Sequence, residues 1–550
     1  MTIEKKLLGI SPSGDGPTDV AEVFSTYLYT GNAGVNAINN GIDLAGEGGL
    51  IWLKGRDAAS SHTLHDTERG VNSRLSAQNT SAAATSGLTS FNSNGFTLSA
   101  TQAGELTNAS NAEYASFTFR KKEKFFDVVT WTGNDVSGRT IAHGLDGPVG
   151  MIIAKRTNAS QDWVVWHKDL ASTKYLKLNS TAAEATSTTI WTSTAPTSTV
   201  FSVGDGGWVN GGGSSYVAYV FADNSSEDAE EQMIKCGSYT GTAADLSINL
   251  GWEAQFVLVK NYNLARDWRL VDSMRGAATG GNAAILDPNT NAVEQSTTDF
   301  LHFNSLGFEL DASAGADVNR NGDSCIYMAI RAPMMIEPKA ATDAFAIDTR
   351  GSTGDGLKPA YRSGFPVDLA IRRSTGGSGG NVSLQSRLTG GNYFRVNTSN
   401  AQAYDQVVFD YNNGYGNVTD TNASFHSWMW KRAKGYMDAV AYEGNATART
   451  LPHSLGVIPE MIWIKNRDAT EDWFVYAASE GIDKWLYLSQ NTQAQSGVAT
   501  PAWNNTVPSS TVLSLGTHNF TNNNGSSFIA YLFATLAGIS KVGSYTGNGS

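Results

Sequence analysis

Cysteine is scarce in this chain of 550 residues, which contains only Cys236 and Cys325. Two cysteines cannot supply the disulfide framework that supports small secreted domains, so the fold must rest on hydrophobic cores. The two residues fall on the first and last apparent strands of one segment, where a bridge can form if those strands pair. We predict instead that both are buried free thiols, which behave as small hydrophobic side chains.

Charged residues are also few, at 16%, and the net charge is −12. Proteins that bind nucleic acid concentrate Lys and Arg to meet the phosphate backbone. The basic run at residues 120–124 is short, and we interpret it as a solvated junction between domains. The composition therefore argues against a nucleic-acid partner.

Long hydrophobic runs are missing as well. No stretch approaches the roughly 20 apolar residues of a membrane-spanning helix. Residues 1–10 lack the apolar region of a secretory signal peptide. We therefore expect no membrane insertion, and a protein that is made and folded in a cytoplasm.

Glycine and aromatic residues are plentiful, a composition typical of many short strands joined by turns. One motif recurs: a leucine, a Gly/Pro loop, an apolar run and then a lysine, at Lys54, Lys155, Lys260 and Lys465. Short apolar runs bounded by turn signals indicate a strand that is buried on both faces. We expect the lysine to mark the point where this central strand leaves the core.

A second motif, of the form Tyr-Thr-Gly-Asn, marks the opening of each repeat. Its glycines lie roughly 100 residues apart, which is one whole domain per repeat, at Gly31, Gly133, Gly241, Gly351, Gly444 and Gly547. Seven or eight short strands per repeat predict an all-β protein of tandem antiparallel β-sandwich modules of about 100 residues. The predicted boundaries are an N-terminal attachment arm at 1–22, modules at 23–123, 124–232, 233–335, 336–434 (divergent) and 435–536, and the first strand of a sixth module at 537–550.

A single strand cannot bury a core of its own. For residues 537–550 we therefore expect a longer product, and the alternative is that this strand completes the sheet of a neighbouring chain.

Three of the repeats carry an Asp-Trp pair after the central strand, with tryptophans Trp163, Trp268 and Trp473. A tryptophan beside an acid suits stacking on a sugar ring. A tryptophan on a strand beside the central one is more often part of the core, and the recurrence of the pair favours this scaffold interpretation.

Few residues suggest a metal or a reaction. Residues 317–323 resemble a calcium loop, but Met328 stands where a bidentate glutamate is needed, so a turn is favoured and calcium is the alternative. His62 and His65 lie close together and could share a strand face, but we predict a surface pair rather than a metal site. The glycine-rich stretches 211–213 and 376–380 are predicted to be loop tips without a phosphate site.

The acidic residues give no catalytic signal that we recognise in the sequence. Paired acids for glycoside hydrolysis stay open, but no acid differs from its counterparts in the other repeats in a suggestive way. We therefore predict no catalytic, cofactor-binding or metal-binding residue, assign no ligand-binding residue, and expect no enzyme activity.

The combination of the opening motif, the Leu–loop–strand–Lys motif and the Asp-Trp pair resembles tandem-module tail-fibre and other tail structural proteins of marine, cyanophage-like bacteriophages. The resemblance covers nearly all of residues 23–550, and the fourth repeat departs from it. It implies β-sandwich modules that are lectin- or jelly-roll-like, and a structural or host-attachment role in the virion tail.

From this resemblance we expect a tail fibre or tail appendage whose modules form a rod or curved arm. The 1–22 arm would bind other tail proteins, a host surface glycan or protein would be the receptor, and the chain would form a homo-oligomer, with a trimer favoured. The alternatives are a tailspike-type polysaccharide depolymerase and a lectin-like cellular adhesin.

Overall fold

The computed structural model describes residues 18–100, 106–277, 282–298, 300–350, 359–374, 382–405, 407–417, 425–496 and 502–548. Most of the predicted 1–22 arm and the glycine-rich stretch 376–380 lie outside these residues. The described part is all-β, as predicted, and its strands pair antiparallel in several sheets. In this part of the chain no helix has the length and apolar character needed to cross a membrane.

The strands fall into five groups, which we call units 1 to 5. Unit 1 (24–120) contains β1 (Phe24–Thr30), β2 (Asn36–Asn39), β3 (Gly49–Gly55), β4 (Thr63–Asp66), β5 (Leu75–Ser76), β6 (Leu88–Asn92), β7 (Gly95–Leu98) and β8 (Glu113–Arg120). Unit 2 (126–222) contains β9 (Phe126–Thr132), β10 (Arg139–Ala142), β11 (Val149–Arg156), β12 (Val164–His167), β13 (Lys174–Lys177), β14 (Ala185–Thr186), β15 (Val200–Val203) and β16 (Ser215–Ala222).

Unit 3 (234–331) contains β17 (Ile234–Thr240), β18 (Leu246–Asn249), β19 (Ala254–Asn261), β20 (Trp268–Asp272), β21 (Asn282–Leu286), β22 (Gln295–Thr298), β23 (Leu301–Asn304), β24 (Gly307–Leu310) and β25 (Ser324–Arg331). Unit 4 (345–430) contains β26 (Phe345–Arg350), β27 (Tyr361–Arg362), β28 (Leu369–Ser374), β29 (Ser383–Ser386), β30 (Asn392–Arg395), β31 (Ala403–Tyr404), β32 (Val407–Val408), β33 (Gly414–Asn417) and β34 (Phe425–Trp430).

Unit 5 (437–533) contains β35 (Met437–Glu443), β36 (Arg449–Pro452), β37 (Met461–Asn466), β38 (Phe474–Ala477), β39 (Lys484–Tyr487), β40 (Gln495–Ser496), β41 (Val512–Leu515) and β42 (Ser527–Phe533). The helices are single turns, at Val20–Glu22, Ala312–Ala314, Gly315–Val318, Ala341–Asp343, Arg387–Thr389 and Asn519–Asn522.

The larger sheet of every unit has the same strand order. The opening strand pairs with the closing strand, the closing strand pairs with the central strand, and the short strands that follow in sequence complete the sheet; in unit 1 the order is β1-β8-β3-β4-β5. A second, smaller sheet of two or three strands, such as β2-β7-β6, belongs to each unit. This arrangement is β-sandwich-like, while the domain boundaries and the period of about 100 residues stay predictions.

The central strand of unit 1 shows why its apolar run is unbroken. Ile51 and Leu53 pack into the core between the two sheets of the unit. Leu50 and Trp52 alternate with them and pack on the opposite face, in a cluster shared with units 2 and 3. Both faces are therefore buried, one by the unit's own second sheet and one by other units, which confirms the prediction for this strand.

Units 1, 2 and 3 do not follow one another end to end, so a rod is wrong for these three units, while the curved arm stays a prediction. Phe24 and Phe117 of unit 1 both make edge-to-face contacts with Phe256 of unit 3. The three units share one continuous hydrophobic core. Unit 1 also contacts unit 4, because Asn412 donates a hydrogen bond to the carbonyl oxygen of Leu28.

Both cysteines are buried and free, as predicted. Cys236 is opposite Met328 and Cys325 is opposite Tyr239 in the pairing of β17 with β25, so the two thiols do not face each other. Burial raises the pKa of both thiols. These residues serve as small core side chains rather than as nucleophiles.

Candidate functional site

The lysines of the central-strand motif do not leave the core, which corrects the expectation drawn from their charge. Lys54, Lys155, Lys260 and Lys465 are all buried. The ammonium of Lys155 donates to the carbonyl oxygens of its neighbour Arg156, at 3.0 Å, and of Thr80 in unit 1, at 3.1 Å. Burial lowers the pKa of all four lysines to about 8, because the charged form loses its hydration.

The same kind of bond recurs between other units. Lys260 of unit 3 donates to the carbonyl of Thr181 in unit 2, and Lys465 of unit 5 donates to that of Ser399 in unit 4, both at 3.3 Å. A lysine that sequence reasoning placed at the edge of the core thus joins each of these units to the preceding one.

The Asp-Trp tryptophans also join units. The indole N–H of Trp163 donates to the carbonyl oxygen of Ser76 in unit 1 at 3.0 Å. The indole N–H of Trp268 donates to the backbone carbonyl oxygen of Lys177 in unit 2 at 2.9 Å. That of Trp473 donates to the backbone carbonyl oxygen of Arg395 in unit 4 at 3.2 Å. All three rings are buried, so neither face is open to a sugar and the scaffold interpretation is confirmed.

In unit 1 a histidine takes the place of this tryptophan. His62 is fully buried and accepts a hydrogen bond from Trp52 Nε1 at 3.0 Å. Two residues earlier, the backbone N–H of Ser60 donates to the carbonyl oxygen of Asn291 in unit 3 at 3.0 Å. Burial lowers the pKa of His62 well below its usual range, so the imidazole is neutral. Unit 2 is joined to unit 1, unit 3 to unit 2, and unit 1 to unit 3, which closes a ring.

The prediction that His62 and His65 form a surface pair is wrong. His65 is also fully buried, and its Nδ1 lies 3.0 Å from the hydroxyl oxygen of Ser86, on the side of the strand away from Trp52. Residues three apart in an extended chain point to opposite faces, so the two rings do not converge on one site.

Buried asparagines are a feature that sequence reasoning missed. Asn210 lies before the closing strand of unit 2, donates from Nδ2 to the carbonyl of Val136 at 2.9 Å, and accepts from the backbone N–H of Asn134 at 3.1 Å. Equivalent bonds hold the opening loops of units 1, 3 and 5, through Asn108, Asn319 and Asn522. The available signal was an asparagine at a fixed distance before each of these closing strands.

The calcium alternative at residues 317–323 finds no support. Asp317 and Asp287 both pair with the guanidinium of Arg269, at 2.5 and 2.8 Å. Asp323 accepts a hydrogen bond from Asn261, and Asn319 is used in the opening loop. The carboxylates of this segment are therefore engaged by the protein, in the turn that leads into β25.

The strongest concentration of acids lies where unit 3 meets unit 5. Asp245, Glu309 and Glu443 each place a carboxylate oxygen within 4.8 Å of the other two. His302 of β23 is buried beside them, with Nδ1 3.3 Å from Asp311 and Nε2 3.7 Å from Glu309. In the described residues these three acids are the group placed closely enough to hold a cation together.

The surroundings of this acidic cluster shift the pKa values of Glu443 and Glu309 in opposite directions. Burial and the negative charge of Glu309 raise the pKa of Glu443 to about 7, so Glu443 can hold a proton between the two acids. Burial opposes ionisation of Glu309, but the interaction with His302 at 3.7 Å and the hydrogen bond from Ser247 outweigh it and lower its pKa. Burial also opposes protonation of His302, but its hydrogen bond to Asp311 and the nearby carboxylate of Glu309 outweigh it and raise its pKa to about 9.

The sequence did contain a signal for this cluster, so the statement that no acid differs from its counterparts is wrong. Glu443 stands in the opening motif where Thr30, Thr132 and Thr240 stand in other units. Glu309 stands in the Gly-Phe-x-Leu motif where Thr97 stands in unit 1. What the sequence could not supply is the contact between units 3 and 5 that brings the two glutamates together.

A family model described as a domain of unknown function, DUF7483, matches residues 19–333 and 381–550. The chain belongs to the DUF7483 family. No curated protein matches it.

The DUF7483 match covers units 1, 2, 3 and 5 and the later part of unit 4. Residues 334–380, which it leaves out, contain the beginning of unit 4 with β26, β27 and β28. This is the stretch in which the sequence departs from the motifs of the other repeats. There Asp368 precedes the central strand and bonds Arg387 and the backbone of Arg432.

Proposed function

We propose that this DUF7483 protein is a structural component of a bacteriophage virion, a tail fibre or tail appendage that supports host attachment. The observation that carries the proposal is the use of the motif side chains. The N–H groups of these side chains donate hydrogen bonds to backbone carbonyl oxygens of the preceding unit, as seen at Lys155, Lys260, Trp163 and Trp268. Motifs used in this way build a stiff multi-unit body, as a part that bridges a particle and a cell requires.

The partners follow from the same proposal. Residues 1–22 bind other tail proteins, and a glycan or protein on the host surface is the receptor. The chain assembles as a homo-oligomer, with a trimer favoured. It is made in the host cytoplasm and resides in the virion tail.

Immunogold electron microscopy of purified virions tests the proposal. Antibodies are raised against the folded chain of residues 1–550 and depleted on an unrelated β-sandwich protein as the control. Gold on the tail or its appendages supports the proposal. Gold confined to the capsid shell, or virions that carry none of the protein, overturns it.

The acidic cluster favours a second candidate, a tailspike-type polysaccharide depolymerase. Glycosidases need one carboxyl group that keeps its proton and a nearby one that is ionised. Glu443, with its raised pKa, and Glu309, with its lowered pKa, have these properties. In this candidate Glu443 is the acid and Glu309 the carboxylate.

The test is incubation of the full chain with host envelope polysaccharide, followed by size analysis of the glycan. Shortened products that disappear in Glu443→Gln, but persist in the surface control Glu68→Gln, support the depolymerase. Unchanged glycan with the unmodified chain dismisses it.

A further inference from the structure

The core of the three-unit ring has a simple composition. Each unit contributes three neighbouring side chains, one from its opening strand, one from its closing strand and one from its central strand. All nine are buried in one cluster: Phe24, Phe119, Leu50, Phe126, Phe221, Met151, Ile234, Ile330 and Phe256. Each unit thus covers the apolar face of the other two.

Units 4 and 5 present the same positions without a third partner among the described residues. The equivalent side chains are Phe345, Trp430 and Leu369 in unit 4, and Met437, Phe533 and Met461 in unit 5. Phe345, Trp430, Phe533 and Met461 are only half-buried. Together with Trp463, and with residues 539–543 of the chain that leaves unit 5, they line an open apolar cavity of about 460 Å³.

The leucines at β13 of unit 2 are covered by another unit, whereas the equivalent leucines at β39 of unit 5 are partly exposed. Leu176 and Leu178 of unit 2 are fully buried, where Trp268 of unit 3 packs and bonds the carbonyl of Lys177. The equivalent residues of unit 5 are Leu486, which is half-buried, and Leu488, which is 37% exposed. Unit 5 therefore has the same sheet edge on which unit 3 packs in unit 2, but no other unit covers this edge of unit 5 in the part of the chain that the structure describes.

The chain that leaves unit 5 is folded like the chain that enters other units. Units 1 and 2 are joined by a tight turn that starts at Lys122, with Lys124 at φ +58°, and the turn between units 4 and 5 has Gly435 at φ +74°. Residues 536–540 form the same turn, with Gly538 at φ +76° and the backbone N–H of Ser540 bonded to Leu536.

At the two complete junctions, the next unit accepts a hydrogen bond from this turn. The N–H of Lys124 donates to the carbonyl of Leu145, and that of Gly435 donates to Leu455, each in the loop before a central strand. After residue 540 comes a segment, 541–547, that differs from the unit 3 segment 235–241 only in having Val542 for Cys236. Residues 235–240 run through β17, the opening strand of that unit.

We propose that units 4 and 5 present an acceptor face for one further β unit of the same type, which uses residues 541–547 as its opening strand. We name Phe345, Trp430, Met461, Trp463, Phe533, Leu486 and Leu488 the acceptor face. The occupant covers it with the apolar side chains of its closing and central strands, while its opening-strand position, the equivalent of Ile234 in unit 3, is Ser540. Its tryptophan indole bonds the carbonyl of Tyr487, the counterpart of Lys177, and its central-strand lysine bonds that of Asn491, the counterpart of Thr181.

This occupant is favoured over a second copy of the chain because several features specify it together. Apolar contact alone would suit many partners. The turn at 536–540, the opening-strand sequence and the uncovered edge at Leu488 each have a counterpart that is filled by a β unit elsewhere in the same molecule. The inference concerns assembly and holds whether or not the protein belongs to a virion.

A matched pair of variants of the native chain gives the first test. Leu178→Glu places a charge in the filled ring, and we expect it to lower the melting temperature by about 5 °C or more. Leu488→Glu makes the same change at the equivalent open position and is expected to shift it by less than about 1 °C. Equal losses would mean that Leu488 is already covered, and would overturn the proposal.

The second test supplies the occupant. Residues 242–335, the rest of the unit 3 sequence, are appended after Gly547, and hydrogen–deuterium exchange is followed at residues 484–488 and 536–540. We expect slower exchange at both segments, reversed when Met461→Glu and Leu488→Glu are combined in the extended chain. An added segment that stays unprotected, or one that folds without protecting the face, overturns the proposal.

Mass photometry of the native chain completes the set. We expect the acceptor face not to mediate self-association, so that Leu488→Glu leaves the mass distribution unchanged. If the native chain forms a dimer and Leu488→Glu dissociates it, the acceptor face binds a second copy of the chain, and the proposal is overturned.

Discussion

The guanidinium of Arg56 in unit 1 donates two parallel hydrogen bonds, both of 2.8 Å, to the carboxylate of Glu294 in unit 3. Arg275 of unit 3 binds the same carboxylate at 3.0 Å, and Arg56 also reaches Asp410 of unit 4 at 2.5 Å. These side chains are at most 15% exposed. A bidentate, shielded pair of this kind fixes the relative orientation of three units, not only their proximity.

Removal of Glu294 should destabilise this junction strongly. Glu294→Ala leaves two buried guanidinium groups short of a partner, and we expect a loss of about 3–5 kcal/mol in the free energy of unfolding. The control is Glu68→Ala, which breaks the exposed pair with Lys121 and should cost less than about 1 kcal/mol. Urea denaturation followed by tryptophan fluorescence measures both, and similar losses would contradict the account.

The inter-unit indole bond should be measurable by itself. Trp163→Phe keeps an aromatic ring but leaves the buried carbonyl of Ser76 without its donor, at an expected cost of about 1–3 kcal/mol. Trp208, which is half-buried and makes an edge-to-face contact with Tyr175 within unit 2, provides the control variant Trp208→Phe. A smaller loss for Trp163→Phe than for Trp208→Phe in thermal unfolding would count against a joining role.

The acidic cluster should make the contact between units 3 and 5 sensitive to pH. The folded state raises the pKa of His302 to about 9 and that of Glu443 to about 7, so it binds more protons than the unfolded chain. The stabilisation by Glu443 is complete below its unfolded pKa of about 4.5 and is lost as the pH rises through 7, and that by His302 is complete below about 6.5 and is lost through 9.

We therefore expect hydrogen exchange in β23 and β35 to accelerate between about pH 4.5 and 9, after correction for the intrinsic rate. Glu443→Gln removes the repulsion between the two carboxylates and should flatten the lower part of this profile. An unchanged profile in Glu443→Gln would show that Glu443 does not titrate in this range.

The buried asparagines should behave as structural clamps of the opening loops. Asn210→Ala removes the acceptor for the N–H of Asn134 and the donor to Val136, with an expected loss of about 2 kcal/mol. Asn158, which accepts a hydrogen bond from Arg156 on the surface, gives the control Asn158→Ala. Circular dichroism melts compare the two, and a cost for Asn210→Ala no greater than the control would refute the clamp.

The class of the fold could be predicted from local patterns, because alternation, apolar runs and turn residues are properties of neighbouring residues. The unbroken apolar run around Leu50 correctly predicted a strand buried on both faces. The same reasoning failed for Lys54 and His62, because charged groups of unit 3, more than 200 residues away in the sequence, lie near both of them. A lysine ends an apolar run in any sequence, and only the packing of units shows that its carbonyl partners are buried with it.

The candidate site could be predicted only in part, because it also depends on contacts between units. The exchange of threonine for glutamate at positions 309 and 443 is visible by comparing the motifs with one another. The proximity of the two side chains is a property of how unit 5 lies against unit 3. No pattern within either motif carries that information.

Closure of the three-unit ring has a consequence for biosynthesis. Lys54 and Arg56 emerge from the ribosome more than 200 residues before Asp287 and Glu294, whose charges compensate their burial. Until that stretch is translated, the nascent unit 1 keeps its cations hydrated and its Phe117 surface open. Stable folding of unit 1 is thus deferred until unit 3 has been synthesised. A ribosome that stalls before that point releases an aggregation-prone fragment rather than a chain of independently folded units.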